Sequence, residues 1–544
     1  MLIFVFTFKR QGTKKTIVST QEIIALLLTI TLFFVLLNGA NNYFWLEDGD
    51  PYGHAQSVGY ITSTGTLFEP PTSPDLVKYV DPYPPSYDAI LSLGYQLNGQ
   101  RDMVSVLKSF NILLIVLSLF VFYYFCSDLF GNENQAIIAT FVLFSLPSFL
   151  SHFIWATTLT ILLFMISTYF LTKTEKEPMV GGYTIFCITA LMISQPSESV
   201  KALGMIMIFW LTKSFINKKL LKKTLTIIIL GLVLASILWW IPAIIRWGNP
   251  ISHPWAGVYE PRKNNTGILN SPAFSGQESG RNKWFMIEGT ADRDYTFKDF
   301  FWVTKENMIN NPTGLGLMVV LILITLLIII IINWKETINT EWLILGILWF
   351  VYSFIGVMGS RLPIQFIAFR FWVLLAISTS VLVGGYIGGL INKKVLSYAA
   401  TTTILFLVLA TSFYPKYLIN NSKWSYGGIW TSPVELQEYT ELKDKIGMIS
   451  PYSVCTYTDW KLAYANLDVC GYNKKIFEER KSFFRMSPEE IKDLVISKGC
   501  KEFIIDSYCT NNYDNVNQKI SELIESEQFI VVHGGQSLIV LEVK

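Results

Sequence analysis

Apolar residues in this chain gather into long runs separated by short polar turns. That is the pattern of a chain that crosses a bilayer many times. Runs near the ~20 residues a helical span needs lie at 23–40, 104–125, 135–150, 153–172, 181–195, 197–212, 224–247, 314–333, 342–358, 364–390 and 395–414. They predict an α-helical polytopic membrane protein with about eleven transmembrane helices. Lys9, Arg10, Lys14 and Lys15 precede the first run. That run is long enough to span and shows no small-residue cleavage site, so it reads as a retained span.

Basic turns set the orientation. With an odd number of spans, Lys9 to Lys15, Lys173/Lys176, Lys213 to Lys223 and Lys393/Lys394 all fall on one side. The N-terminus is then cytoplasmic, and the loops 41–103 and 249–312 and the tail 415–544 are extracytoplasmic. The transmembrane part is 1–414. In the tail the period changes: helices are predicted at Pro433 to Ile446, from Ser487-Pro488-Glu489-Glu490, and at Val516 to Glu527. Strands are predicted at Ser453 to Tyr457, Glu502 to Tyr508, Phe529 to His533 and Leu538 to Val543. Alternating helices and strands over this length suggest a C-terminal extracytoplasmic α/β domain.

Composition agrees: 51% of residues are hydrophobic and 15% charged. A net charge of +2 leaves no field that points to nucleic acid. Four of the six cysteines, Cys455, Cys470, Cys500 and Cys509, fall in the tail without CxxC spacing. A zinc site is not expected; if the tail lies outside the cytoplasm, one or two disulfides and buried thiols are both open. The 16 Trp and 26 Tyr fit an interfacial aromatic belt as well as a sugar platform.

Candidate chemistry starts just after the first apolar run. Trp45-Leu46-Glu47-Asp48-Gly49-Asp50-Pro51-Tyr52-Gly53-His54 holds three carboxylates and a histidine. Such a cluster beside a bilayer can hold a divalent cation or take a proton. Asp-Gly and Asp-Pro are also ordinary turn dipeptides, and on these residues alone a solvated turn is the preferred reading. Cations occupy the outer ends of spans at Lys108, Lys201, Arg246, Arg361 and Arg370. Arg370 lies deepest, within Ile364 to Trp372. An intramembrane Arg either snorkels or meets an anion, and at that depth the anion expected is a lipid phosphate.

Asp50-Pro51-Tyr52-Gly53-His54-Ala55-Gln56-Ser57 resembles the first-loop motif of the catalytic subunit of oligosaccharyltransferase. Tyr83-Pro84-Pro85-Ser86-Tyr87 resembles the Tyr-Pro segment of the same loop in that family and other GT-C glycosyltransferases. The resemblance extends to the layout of the whole chain. It implies inverting transfer of a sugar or oligosaccharide from a polyprenyl-phosphate or -pyrophosphate carrier to a protein, glycan or lipid acceptor at the outer face of the cell membrane. It makes Asp50 the catalytic aspartate and a metal ligand. It adds Glu288 (with Glu278 as an alternative) and His152 as further ligands of Mn²⁺ or Mg²⁺. It places Arg370 at the lipid phosphate, with Arg361 and Arg246 as further cations, and points to Asp459 and Trp460 for acceptor binding. Glu47, Asp48 and His54 are secondary candidates. Three departures stand against the family's pattern: no carboxylate near His152, no WWDYG motif in the tail, and fewer spans. Two other readings compete: a transporter, which would need discontinuous helices and inverted repeats that are absent here, and a non-catalytic scaffold or sensor with an external binding domain.

Overall fold

The computed structural model describes residues 18–42, 45–47, 49–68, 83–100, 102–247, 295–303, 309, 312–333, 340–359, 368–392, 394–422, 432–447, 450–455, 458, 461–462, 465, 467, 470 and 482–544. Each apolar run coincides with a helix. These are α1 (Thr20–Ala40), α4 (Met103–Phe130), α5 (Glu133–Ser145), α6 (Thr157–Leu171), α7 (Pro178–Met192), α8 (Pro196–Ile216) and α9 (Lys222–Ala235). A π turn, Ser236–Trp240, leads from α9 into α10 (Ile241–Trp247). After the short α11 (Phe297–Phe301) come α12 (Leu317–Ile332), α13 (Glu341–Val357), α14 (Trp372–Asn392) and α15 (Tyr398–Val408). A second π turn, Leu409–Phe413, leads into α16 (Tyr414–Asn421). Among the described residues, 6 helices are long and apolar enough to cross a membrane, and four further apolar helices have 10–17 residues.

The first long loop is not irregular. Within 41–103 it forms α2 (Gly49–Thr64) and α3 (Ser86–Leu97). The acidic stretch therefore opens a helix rather than sitting on a sharp turn. Pro51 allows this, since a proline in the first helical turn loses no hydrogen bond.

The centre of the bundle is α14, buried almost continuously from Trp372 to Gly388, with α4 and α6 beside it. By contrast α1, α9 and α15 expose much of their apolar surface, as outer helices in lipid do. Small residues let α14 approach α5. A Cβ on Gly384 would stand 2.2 Å from Ala139 Cα, and Gln135 donates to Gly385 O at 2.9 Å. Without a hydrophobic drive between helices in lipid, such close backbone contact is what holds them together.

The C-terminal region carries α17 (Pro433–Ile446), α18 (Pro488–Ser497), α19 (Ser507–Asn512) and α20 (Val516–Glu525) on a four-stranded sheet. Strands β1 (Tyr452–Ser453), β2 (Glu502–Asp506), β3 (Phe529–Gly534) and β4 (Leu538–Val543) run in the order β1-β2-β4-β3. β1 pairs parallel with β2, and the other pairs are antiparallel. Ser487 opens α18 with the capping box predicted for it. The strand predicted to Tyr508 stops at Asp506, whose carboxylate accepts from Cys509 N and starts α19 instead. Cys455 bonds Cys509 and Cys470 bonds Cys500, with Cα separations of 5.8 and 5.7 Å. Lys461, wholly buried, donates at 2.7 Å to both Glu435 and Asp506, and so ties α17 to β2.

Gly384→Val tests the packing. The added bulk meets α5 backbone and should cost about 1–3 kcal/mol or more, read as a lower thermal midpoint in detergent. Gly182→Ala is the control, since its Cβ meets nothing within 4 Å. Equal midpoints for both variants would contradict the close α5–α14 contact.

Candidate functional site

Three polar groups converge where α1 ends and α2 begins. Asp50 lies in the first turn of α2 and is exposed. Glu47, three residues earlier, is 1% exposed and faces His152, which is fully buried: His152 Nδ1 to Glu47 Oε1 is 3.1 Å. On the other side of the ring His152 Nε2 stands 2.9 Å from Asn420 O. Asn420 also accepts from His152 N at 3.2 Å. This brings the end of α16 against α1, and Gly39 is the residue that permits it. A Cβ there would lie 1.8 Å from Asn420 O.

The turn that carries His152 is held in place by Asn111 of α4. Its amide donates to His152 O at 3.1 Å and Phe153 O at 2.9 Å. Its Oδ1 accepts from Tyr87 at 2.9 Å and Thr158 at 2.8 Å. Tyr87 belongs to the Tyr-Pro segment, so α3 is moored to the same amide. On the facing side of α2, His54 Nδ1 meets Asp88 Oδ1 of α3 at 2.7 Å, with both side chains buried. The Tyr87 ring packs edge-on against His54, centroids 4.8 Å apart.

Deeper in, Arg370 Nη1 donates to Glu198 Oε2 at 2.7 Å. Lys201, one turn along α8, stands 3.5 Å from the other Glu198 oxygen. Arg370 also lies over the Phe369 ring, while its Nε is buried and meets no acceptor. Tyr83 joins this cluster to α2. Burial pushes its phenol well above the ordinary value, Arg370 pulls it back, and the carboxylates of Asp50, Asp88 and Glu198 raise it further. Arg370 in turn interacts electrostatically with Tyr83 and Asp50. Asp50, exposed, and Arg370, partly buried, are 320 residues apart in the chain and thus share one electrostatic neighbourhood.

The remaining candidates are placed as follows. Arg246 lies over the Phe68 ring at 5.1 Å, and Phe68 stacks on Trp239. Asp48, Glu278, Glu288, Arg361, Asp459 and Trp460 lie outside the described residues. Lys201, one of the span-end cations, and Glu198, which sequence reasoning left aside, also stand here. The signal for Glu198 was Arg370 itself: a buried guanidinium requires a carboxylate at its own depth, and Glu198 interrupts an apolar stretch.

A divalent cation at His152 does not fit this arrangement. Both ring nitrogens face acceptor oxygens, on Glu47 and on Asn420. Among the described residues no group of three His, Cys, Asp or Glu side chains is placed to hold a metal.

The chain is a multi-pass membrane protein, and its fold is one shared by solved membrane glycosyltransferases of the GT-C class. Two kinds of solved structure share the fold. One is the archaeal oligosaccharyltransferase AglB from Archaeoglobus fulgidus, in complex with an inhibitory peptide and a dolichol-phosphate. It matches at 12% identity and TM-score 0.59 over 94% of this chain and 72% of that one. The same oligosaccharyltransferase in complex with Zn and sulfate matches at 14% identity and TM-score 0.52, covering 94% of this chain and 71% of that one. The other is ArnT from Cupriavidus metallidurans bound to undecaprenyl phosphate, at 11% identity and TM-score 0.52, covering 95% of this chain and 97% of that one. At such identities the likeness establishes the fold alone. No family model matches the sequence, and neither does any curated protein.

Glu47 and Asp50 are separable by stability. Glu47→Ala leaves a buried His152 without its carboxylate, and breaking a buried pair costs about 3–5 kcal/mol. Asp50→Asn changes an exposed residue and should leave the thermal midpoint near wild type. Scanning calorimetry of both purified variants checks this, and equal losses would contradict the division of roles.

Proposed function

We propose that this protein is a glycosyltransferase that moves a sugar or oligosaccharide from a polyprenyl-phosphate or -pyrophosphate carrier to an acceptor on the outer face of the membrane. The observation that carries this reading is an exposed carboxylate, Asp50, within the electrostatic reach of a partly buried guanidinium, Arg370, which Glu198 holds at 2.7 Å. A lipid-linked sugar needs both: a cation at the depth of the carrier phosphate and a base at the surface, where the acceptor arrives. The solved neighbours add to it, since one was captured with dolichol-phosphate and another with undecaprenyl phosphate.

In the reaction, the acceptor nucleophile attacks the anomeric carbon from the face opposite the phosphate, and the configuration inverts. Asp50 takes the acceptor's proton. The bond from the anomeric carbon to the phosphate oxygen breaks, and its electron pair stays on the carrier phosphate. Arg370 stabilises that growing charge through charge-assisted hydrogen bonds. No step here runs through a metal ion. All eleven apolar helices cross the bilayer in this reading, so the N-terminus is cytoplasmic and the α/β region is outside. The α/β region then faces the acceptor. A protein acceptor is favoured by the neighbour tethered to an acceptor peptide.

The test uses the full chain in detergent with a polyprenyl-phosphate sugar, following release of free carrier phosphate by mass spectrometry. Wild type should release it in the presence of acceptor. Asp50→Asn should fold normally and lose transfer by on the order of 10²-fold or more. Wild-type release by Asp50→Asn would remove Asp50 from the chemistry.

Orientation has its own check. A cysteine in place of the exposed Ser521 on α20 should react with an impermeant thiol reagent added to intact cells. Labelling only after permeabilisation would invert the topology and take the α/β region away from an external acceptor.

A further inference from the structure

Among the described residues, partly buried Arg370 and buried Lys201 meet on the carboxylate of Glu198. Arg370 and Lys201 both turn to Glu198, at 2.7 and 3.5 Å. Glu198 is 3% exposed and Lys201 6%, so water screens neither well. The guanidinium is also only half used. Nη1 holds Glu198, whereas Nε is buried without an acceptor. A guanidinium fork is built to grip two oxygens of one anion.

We propose that Glu198 is a placeholder: in the ligand-free protein its carboxylate occupies the position that a phosphate oxygen of the carrier takes between Arg370 and Lys201. This rests on the lipid-linked transfer reading above. Carboxylate and phosphate offer a guanidinium the same pair of oxygens, so one replaces the other without rebuilding the site. The placeholder has two consequences. It keeps the cations paired while no carrier is bound. It also competes with the carrier phosphate left after transfer, which carries more charge than the phosphodiester of a monophosphate donor and would otherwise stay bound. Lys201 becomes a second phosphate ligand, with Arg370 as the first.

Binding separates this from a merely structural Glu198. The probe is undecaprenyl phosphate, titrated into the full chain in detergent by microscale thermophoresis, with inorganic phosphate as the second arm. Glu198→Gln keeps the shape, removes the competing charge, and should tighten carrier binding by on the order of tenfold. Lys201→Met and Arg370→Leu should each weaken it by about tenfold or more. Because an uncompensated pair of cations can unsettle the fold, the thermal midpoint is followed with and without carrier. The carrier should raise it more in Glu198→Gln than in wild type. Glu198→Asp, which keeps the charge but withdraws it, should bind with intermediate affinity.

Unchanged or weakened carrier binding in Glu198→Gln overturns the placeholder and leaves Glu198 a buttress for Arg370. Equal binding by wild type and Arg370→Leu overturns the lipid-phosphate reading itself, and the placeholder with it. If inorganic phosphate binds as tightly as the carrier, with the same gain in Glu198→Gln, the ligand is free phosphate and the carrier is excluded.

Discussion

One side-chain amide, Asn111, fixes the frame on which the site stands. All four of its hydrogen-bonding positions are filled, by Tyr87, Thr158 and the carbonyls of His152 and Phe153. Inside a bundle that lies in lipid no water replaces a lost partner, so a saturated amide holds its neighbours firmly. Through it α3, α4, the turn before α6 and the start of α6 keep one relative position. His152 extends the frame outward to Glu47 and to Asn420 on α16. Asp50 comes three residues after Glu47. Its place at the surface is thereby set by groups drawn from five regions of the chain, none of which needs to touch substrate.

The same accounting sorts the expensive cations. Lys108 donates to Ala40 O at 2.7 Å, and Lys416 to Phe144 O at 2.9 Å. Each carbonyl is in the last turn of a helix, where carbonyls lack intrahelical donors and the dipole is negative. Those lysines close helix ends that lipid would leave unsatisfied, and they are structural. Lys201 and Arg370 differ because their counter-group is a carboxylate, and two cations share it. Position at a span end does not separate these cases, whereas the identity of the acceptor does.

Much of this was legible in the sequence. Apolar runs located each bundle helix because the bilayer imposes length and hydropathy on every span. The α/β tail was readable from its change of period and from the Ser487 capping box. Asp50 stood out as part of an acidic cluster beside the first span and Arg370 as a charge at a costly place; an electrostatic interaction links the two. Other features depend on contacts between distant segments. Nothing in Gly49 to Thr64 marks a helix strongly, with its two glycines after the first turn, its proline and its β-branched residues; α2 is stabilised by packing on α3. Likewise His152 looked like a ligand because its partners, Glu47 and Asn420, are 105 and 268 residues away. Glu198 was visible only as a break between two apolar runs.

A shared fold at 11–14% identity fixes the arrangement of helices and leaves the chemistry open. What distinguishes this chain is how it balances charge. Where the family resemblance implies a ligand at His152, a buried carboxylate and a backbone carbonyl already take both of its nitrogens. Where the carrier phosphate would lie, two protein cations converge on one carboxylate. Fixed protein cations need no reorganisation when charge develops on a leaving phosphate, and they act strongly because water is excluded. In the proposed reaction a base at the surface, where an acceptor can reach it, would complete the division of labour. On that proposal, the difference in exposure between Asp50 and Arg370 is the feature through which this fold would read a substrate that is half lipid and half sugar.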